Sequence, residues 1–242
     1  MNALHNFLFI ILPYIAIAVF CVGVIYRYKV TPFKYSSLSS QFLEGNKLFW
    51  GSVPFHFGML VVFLGHLIAF LFPRQLLAWN SQPVRLIILE ATGFIFGVSM
   101  LIGLATLFTR RLTNDRLKVV TNWMDIVVEL VLLFQVVLGC WIAVRYRWGS
   151  SWFVADLSPY LWSIMTLDPQ IDAVKALPHV VQGHITGAFL LLLLIPFSRL
   201  VHVLVAPFHY IFRPYQQVIW YWNRKLINDA AWAWSARRPK NN

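Results

Sequence analysis

Four histidines lie within long apolar stretches of the sequence, and they are the side chains best suited to chemistry. His56 and His66 share one stretch, and His184 and His202 share another. Ionisable side chains are costly inside a membrane, so those that occur there usually mark a functional site. Imidazole is a common ligand of metal ions and of haem iron. We therefore predict that these four histidines are cofactor ligands.

The elements that must position the histidines are predicted to be transmembrane helices. A helix needs roughly 20 apolar residues to cross the hydrocarbon layer. The stretches that satisfy this length are Phe7–Tyr26, Val53–Phe72, Leu86–Phe108, Trp123–Val144 and Val180–Pro207. Their length and the absence of period-two alternation favour helices over strands.

Composition supports the same class of protein, since 59% of the 242 residues are hydrophobic and only 12% are charged. A soluble domain carries about a quarter charged residues. The sequence predicts an all-α integral membrane bundle of five transmembrane helices over residues 1–214. A basic, aromatic tail over residues 215–242 is predicted to lie in the cytoplasm.

The loop charges predict the orientation in the membrane. One set of loops and the tail carries Arg27, Lys29, Lys34, Lys47, Arg110, Arg111, Arg116, Lys118, Arg213, Arg224, Lys225, Arg237, Arg238 and Lys240. The opposite loops carry only Arg74, Arg85, Arg145, Arg147 and Lys175. Because cationic loops stay in the cytoplasm, the N-terminus is predicted outside and the C-terminus inside. The same rule accounts for the net charge of +11 without a nucleic-acid partner.

This orientation arranges the histidines in two layers. His56 and His202 fall at the inner level, and His66 and His184 fall at the outer level. Each pair can place two imidazoles on opposite faces of one haem iron, as side chains on facing helices of bundles do. The spacings correspond to rises of about 15 Å and 27 Å on ideal helices, which do not match. Pro196 is expected to bend the last helix and absorb part of the difference.

Glycines accompany the histidines. Gly58 and Gly65 lie between His56 and His66 in the sequence, and Gly183 and Gly187 flank His184. Small residues let a flat cofactor approach the backbone, but they serve ordinary helix packing equally well. Gly93 and Gly97 form a GxxxG pattern, which indicates a close helix contact.

Other functions stay open on the residues alone. A proton-relay transporter, a haem-free membrane anchor and purely structural histidines are the alternatives. A relay normally needs buried acids, and the acids within the predicted spans, Glu90, Asp125 and Glu129, lie towards helix ends. The two cysteines, Cys21 and Cys140, form no CxxCH motif, which excludes covalent haem attachment.

Several short motifs occur in a fixed order along the chain. They are Pro13-Tyr14-Ile15-Ala16, Ser39-Ser40-Gln41, Phe55-His56-Phe57-Gly58, Gly65-His66, His184 with Gly187, and Pro196-Phe197-Ser198-Arg199-Leu200-Val201-His202. In these motifs the sequence resembles the gamma subunit of membrane-bound respiratory nitrate reductase. The resemblance covers roughly residues 7–218, and motif order and both His–His spacings agree with the family.

The resemblance implies two haem b groups, one distal between His66 and His184 and one proximal between His56 and His202. It implies that quinol is oxidised beside the distal haem, with protons released outside. Electrons would pass through the proximal haem to an iron–sulfur beta subunit and then to a molybdenum alpha subunit that reduces nitrate. No nitrate site is expected in this chain. The implied location is the bacterial cytoplasmic (inner) membrane, as a multi-pass protein.

The resemblance also marks a candidate quinol site. The family has a lysine where this sequence has Arg85, and Gly65 is the second candidate. Arginine keeps the positive charge but presents a planar fork, so the two are not equivalent. An arginine that only reaches the membrane interface is the alternative. The same assembly running in reverse would belong to a nitrite oxidoreductase.

Three arginines at the inner membrane edge, Arg110, Arg111 and Arg199, are candidate partners of haem propionates, because guanidinium binds carboxylate strongly. Charges that only set the topology are the alternative.

Overall fold

The computed structural model describes residues 2–31, 40 and 43–205. Within them, five helices are long and apolar enough to cross a membrane. They are α1 (Ala3–Val30), α2 (Asn46–Leu71), α3 (Pro83–Thr113), α4 (Trp123–Arg145) and α5 (His179–Leu194). The all-α, five-span prediction is confirmed. The tail over 215–242 and His209 lie outside the described residues.

The helices expose much of their apolar surface. Trp50, Val84 and Trp123 are 67%, 69% and 71% exposed. A soluble protein would bury such side chains, whereas lipid solvates them at no cost. Because backbone polar groups are satisfied within each helix, these elements suit the hydrocarbon layer. The chain is a multi-pass membrane protein.

Close contact between α2 and α3 depends on glycines. A Cβ atom on Gly58 would lie 2.5 Å from the carbonyl oxygen of Phe96, and one on Gly103 would lie 2.6 Å from that of Gly51. Gly58 therefore serves helix packing. The contact expected from the GxxxG pattern is absent among the described residues, since a Cβ on Gly93 would meet nothing within 4 Å and one on Gly97 would make only ordinary contact. Gly93 therefore faces open space, and Gly97 lies against Cys140 of α4 at a distance that does not require a glycine.

The last span is broken at its proline, where the sequence predicts only a bend. Regular α-helix ends at Leu194, and 3₁₀ turns follow over Ile195–Phe197 and Arg199–Val205. Pro196 lacks an N–H and cannot continue the hydrogen-bond ladder. The single helix predicted over Val180–Pro207 is therefore wrong, and His184 and His202 do not share one straight face. Gly23 of α1 lets that helix approach the break, because its Cβ would lie 2.6 Å from Pro196 Cβ.

A layer of short helices covers one end of the bundle. It comprises Pro73–Asn80, Gly149–Trp152, a π-helical turn at Phe153–Leu157, Ser158–Met165 and Asp172–Ala176. The sequence alone predicts mainly irregular structure over residues 146–177, with one short surface helix, so the structure corrects this. Ser158 and Trp162 donate to the carbonyls of Ala69 and Phe70, which satisfies the end of α2.

We call the end of the bundle that carries His66 and His184 the distal end, and the end that carries His56 and His202 the proximal end. The covering layer lies at the distal end, where Tyr160 donates to the carbonyl of Phe9 over 2.9 Å. Which end faces the cytoplasm stays a prediction.

Candidate functional site

The proximal histidines face each other across the bundle. His56 comes from α2 and His202 from the 3₁₀ segment after the α5 break. Their ring centroids lie 6.3 Å apart, with the ring planes inclined by 59°. Two metal–imidazole bonds of about 2 Å on opposite sides of one metal place the ring centroids roughly 6 Å apart. The pair thus has the separation that a shared axial metal requires.

Hydrogen bonds orient both proximal rings in the same way. His56 Nδ1 lies 2.7 Å from the carbonyl oxygen of Ser52, and His202 Nδ1 lies 2.6 Å from that of Arg199. A carbonyl oxygen only accepts, so Nδ1 carries the hydrogen and Nε2 keeps its lone pair. Histidine ligands of metals are commonly fixed by such a bond from the second nitrogen. Both rings therefore offer Nε2 to a ligand.

Two arginines hold the broken segment that carries His202. Arg27 Nη1 donates to the carbonyls of Pro196 and Ser198, each over 2.8 Å. Arg199 donates to the carbonyl of Val120 over 2.9 Å. The Arg27 bonds satisfy carbonyls that the missing helical turn would leave unpaired. The backbone around His202 is thereby fixed from both sides.

Arg199 belongs to a charge-balanced group at the start of α4, which we call the proximal ion cluster: Arg111, Asp125, Glu129 and Arg199. Asp125 lies 3.1 Å from Arg199 Nε and 3.5 Å from Arg111 Nη1. Arg111 Nε lies 2.7 Å from Glu129 Oε2, an ion pair whose angle does not make a hydrogen bond. Buried charges persist only when paired, so the cluster depends on all its members.

Arg110 has a different set of partners from the other two arginines. It is 5% exposed, and its Nε lies 2.5 Å from Glu44 Oε2. Its remaining bonds go to Ser40 and to the carbonyl of Glu44. The Arg110 guanidinium lowers the pKa of the Glu44 carboxyl below its usual value. Arg110 thus fastens the α1–α2 loop, and its propionate role stays a prediction.

The distal pair combines one exposed and one enclosed ring. His66 Nδ1 lies 2.8 Å from the carbonyl of Val62, the arrangement also seen at His56. Its ring meets that of Phe153 edge-on, with centroids 5.4 Å apart. His184 is the more enclosed of the two rings. Its Nδ1 is buried without a hydrogen-bond partner, which is costly unless a ligand or a water satisfies it.

Two residues of α4 shape the surroundings of His184. A Cβ on Gly139 would lie 3.2 Å from His184 Cε1, so this glycine makes room for the ring. Gln135 Nε2 donates to the carbonyl of His184 over 2.7 Å. Gly187 admits the Gln135 side chain, since a Cβ there would collide with its Oε1. Sequence reasoning missed Gln135 and Gly139, although a glutamine in mid-membrane was the available signal.

The glycines near the histidines therefore have different roles. Gly58 packs against α3, Gly187 accommodates Gln135, and Gly183 makes ordinary contact with Leu138. Gly65 differs, because a Cβ there would meet nothing within 4 Å. The face beside His66 is thus open to a ligand.

Arg85 lies exposed at the start of α3. Its guanidinium stands 5.2 Å from the ring centroid of Trp79, a cation–π contact. The structure places it at the distal end together with Gly65. Its contact with quinol stays a prediction.

The helices that contribute the histidine pairs have different packing partners. α2 packs chiefly against α3, whereas α5 packs against α1 and α4.

Among the described residues, no group of three His, Cys, Asp or Glu side chains could hold a metal ion with protein ligands alone. Two axial imidazoles do suffice for haem iron, because the porphyrin supplies the other ligands. The donor set therefore fits haem.

A bundle of five apolar helices with His56 and His202 facing each other defines the class: a multi-pass membrane protein whose paired imidazoles suit a haem. Residues 5–221 match the family model described as nitrate reductase gamma subunit, and the chain belongs to that family. The resemblance drawn from the motifs is confirmed. Gamma chains of nitrate reductase are subunits of an oxidoreductase complex.

Relatives cover nearly the whole chain. The gamma chain of respiratory nitrate reductase 2 of Escherichia coli is 35% identical over 89% of this chain and 96% of its own. The nitrate reductase gamma chain of Bacillus subtilis is 32% identical over 85% and 93%. The gamma chain of respiratory nitrate reductase 1 of Escherichia coli is 32% identical over 90% and 98%.

Proposed function

We propose that this chain is the dihaem cytochrome b subunit of a quinol-oxidising nitrate reductase. It takes electrons from quinol at the distal end and delivers them at the proximal end to an iron–sulfur beta subunit. A molybdenum alpha subunit then reduces nitrate. The observation that carries the proposal is the His56–His202 pair, with centroids 6.3 Å apart and Nδ1 atoms engaged by backbone carbonyls.

His56 and His202 would hold the proximal haem b, and His66 and His184 would hold the distal haem b. Haem b, when bound, supplies a one-electron iron couple whose potential follows from its ligands, hydrogen bonds and burial. The backbone carbonyls of Ser52, Val62 and Arg199 each hold one imidazole in a single tautomer and orientation. The apolar helices keep water away from the electron path, which avoids reorganisation of solvent during transfer.

At the distal end, Arg85 is the proposed donor to a quinol oxygen, and Gly65 leaves space for the quinol ring beside His66. The open position at Gly65 supports this placement. At the proximal end, Arg111 and Arg199 are the favoured partners of haem propionates. Each is about a quarter exposed, at 26% of its side-chain surface, whereas Arg110 is nearly enclosed by Ser40 and Glu44.

The proposed location is the bacterial inner membrane, with the proximal end towards the cytoplasm. Loop charges support this orientation, because the loops predicted to be inside carry most of the lysines and arginines. The gamma chains of nitrate reductases of Escherichia coli and Bacillus subtilis are bacterial relatives, and the term gamma supports a complex with further subunits.

The proposal is tested on the complex purified from membranes with its co-purifying subunits. We expect absorbance of two b-type haems per chain, reduction of both by a quinol analogue, and reoxidation by nitrate. His5→Gln serves as the control, since it removes a histidine outside both pairs. A complex without haem would leave a membrane anchor or a transporter as the remaining functions. Reduction of the haems by nitrite but not by quinol would favour electron flow in the reverse direction, as in a nitrite oxidoreductase.

A further inference from the structure

We propose that Glu90 is the proton acceptor for quinol oxidation and passes each proton to the distal surface beside Ser150. This inference rests on the proposed function, because it assigns a residue to the quinol reaction at the same end of the bundle.

Glu90 is held in a small group of polar side chains, the distal polar cluster: Asn80, Glu90, Ser150 and Ser151. Glu90 Oε1 accepts from Ser150 N over 2.8 Å and from Ser150 Oγ over 2.6 Å. Asn80 Nδ2 donates to Ser150 Oγ and Ser151 Oγ over 3.0 and 3.1 Å. Asn80 Oδ1 is buried without a partner, which leaves one acceptor for a water molecule or a quinol hydroxyl.

The charge environment of Glu90 separates it from the other acids within the spans. Asp125 and Glu129 are paired with arginines in the proximal ion cluster. Glu90 forms no ion pair in the described part of the chain. The charged side chains on the elements packed around it are Arg74, Arg85, Arg145, Arg147 and Asp156. No ion pair among the described residues holds this carboxyl, and an acid at membrane depth is usually functional.

The position of Glu90 places it at the same end of the bundle as the proposed quinol site. Along α3 it follows Arg85 by five residues, a rise of about 7.5 Å and a rotation of about 140°, so the two lie near one level on different faces. Across the fold, Ser150 binds Glu90, and Phe153, about one helical turn later, packs on the His66 ring. Gly149 lies against the second oxygen, since its Cβ would be 3.6 Å from Glu90 Oε2. Glu90 and His66 therefore contact successive turns of the same covering segment.

The proposed step conserves electrons and protons. Oxidation of quinol to quinone releases two electrons and two protons from its hydroxyl groups; the haem groups, when bound, would accept the electrons. The Glu90 carboxylate takes one proton with each electron that leaves and becomes the carboxylic acid. The acid then releases that proton to water at the distal surface beside Ser150 and returns to the carboxylate for the second. General-base catalysis of this kind contributes typically 10²–10⁴-fold.

The test is Glu90→Gln in the purified complex. The amide oxygen can still accept from Ser150, so the fold is kept while the base is removed. We expect kcat for quinol-dependent nitrate reduction to fall about 100-fold or more, with KM little changed. Haem content and reduction by a one-electron donor that carries no proton should equal those of wild type. Glu90→Asp should restore part of kcat, because a carboxylate returns.

Asp172→Asn is the matched control, since this distal carboxyl is 93% exposed and pairs only with Lys175 in the described structure. It should leave kcat unchanged. A wild-type kcat in Glu90→Gln would overturn the inference. If haem reduction by the proton-free donor slowed as much as reduction by quinol, Glu90 would have a structural role, and the inference would also fail. If the wild-type complex itself fails to reduce its haems with quinol, the proposed function falls instead.

Discussion

The two ends of the bundle hold their histidines by different means. At the proximal end, His202 lies on a broken helix, and arginines and carboxylates fix it through the proximal ion cluster and Arg27. At the distal end, His184 lies within regular helix and is fitted by Gly139 and Gln135. Charged side chains fix the histidine where the helical hydrogen bonds are lost, and close packing fixes it where they are intact.

This difference agrees with the chemistry proposed for each end. Paired charges at the proximal end hold the segment that carries His202 and keep the electron exit rigid. The distal polar cluster has hydroxyl and amide groups around Glu90 and no ion pair in the described residues, so protons can move there. If the two ends are separable in this way, a substitution at one end should leave the haem at the other end unchanged.

The largest expected effect is loss of a single haem from one end. His202→Gln should remove the proximal haem and His184→Gln the distal haem, because amide nitrogen does not replace an axial imidazole. Each variant should lose about half of the b-type absorbance and nearly all quinol-dependent nitrate reduction. His5→Gln should keep both haems. Two haems retained in either ligand variant would show that the pairing is wrong.

Asp125→Asn should damage the proximal end selectively. It leaves Arg111 and Arg199 partly uncompensated, and breaking a buried ion pair costs about 3–5 kcal/mol. We expect a shifted midpoint potential or loss of the proximal haem, with the distal haem unchanged in a redox titration. Asp115→Asn, which removes an exposed carboxyl near the same end, is the control. Equal shifts of both haems would contradict a local role.

Gly139→Ala should disturb the distal end in a complementary way. The new methyl group would lie 3.2 Å from His184 Cε1, so the ring must move by a few tenths of an ångström. Overpacking of this kind costs typically 1–3 kcal/mol. The electron paramagnetic resonance signal of the distal haem should shift while the proximal signal stays. Gly93→Ala, with open space around it, should change neither signal.

The sequence was informative about elements and less so about their contacts. Run length located the five spans, Pro196 predicted a bend where the structure has a break, and the order of the helices predicted that His56 and His202 lie at one level. It did not reveal which helix faces meet, so the packing role of Gly58 and the bond from Gln135 were found only in the structure. Asp125 and Arg199 are far apart in the chain, and no local pattern links them. Most of the distal covering helices were missed because serine, proline and aromatic residues give no helical period there.

The smallest expected effect is the pH dependence of the Glu44–Arg110 contact. Arg110 lowers the pKa of Glu44, so the folded state favours the carboxylate more than the unfolded state does. The resulting stability is present above the unfolded glutamate pKa of about 4.3 and is lost as pH falls through the lower folded-state pKa. A hydrogen bond between charged groups that are partly open to solvent contributes roughly 1 kcal/mol.

Glu44→Gln should therefore unfold about 2–4 °C below wild type at pH 7, when both are measured in detergent, and the gap should close below about pH 4. Asp115→Asn is the control, because its exposed contact with Lys118 is worth less and should give a smaller gap. A gap that persists unchanged at low pH would mean that Glu44 acts through packing. In that case the proximal loop would be held by shape, as His184 is, and the contrast between the two ends would be confined to the proximal ion cluster and the segment that carries His202.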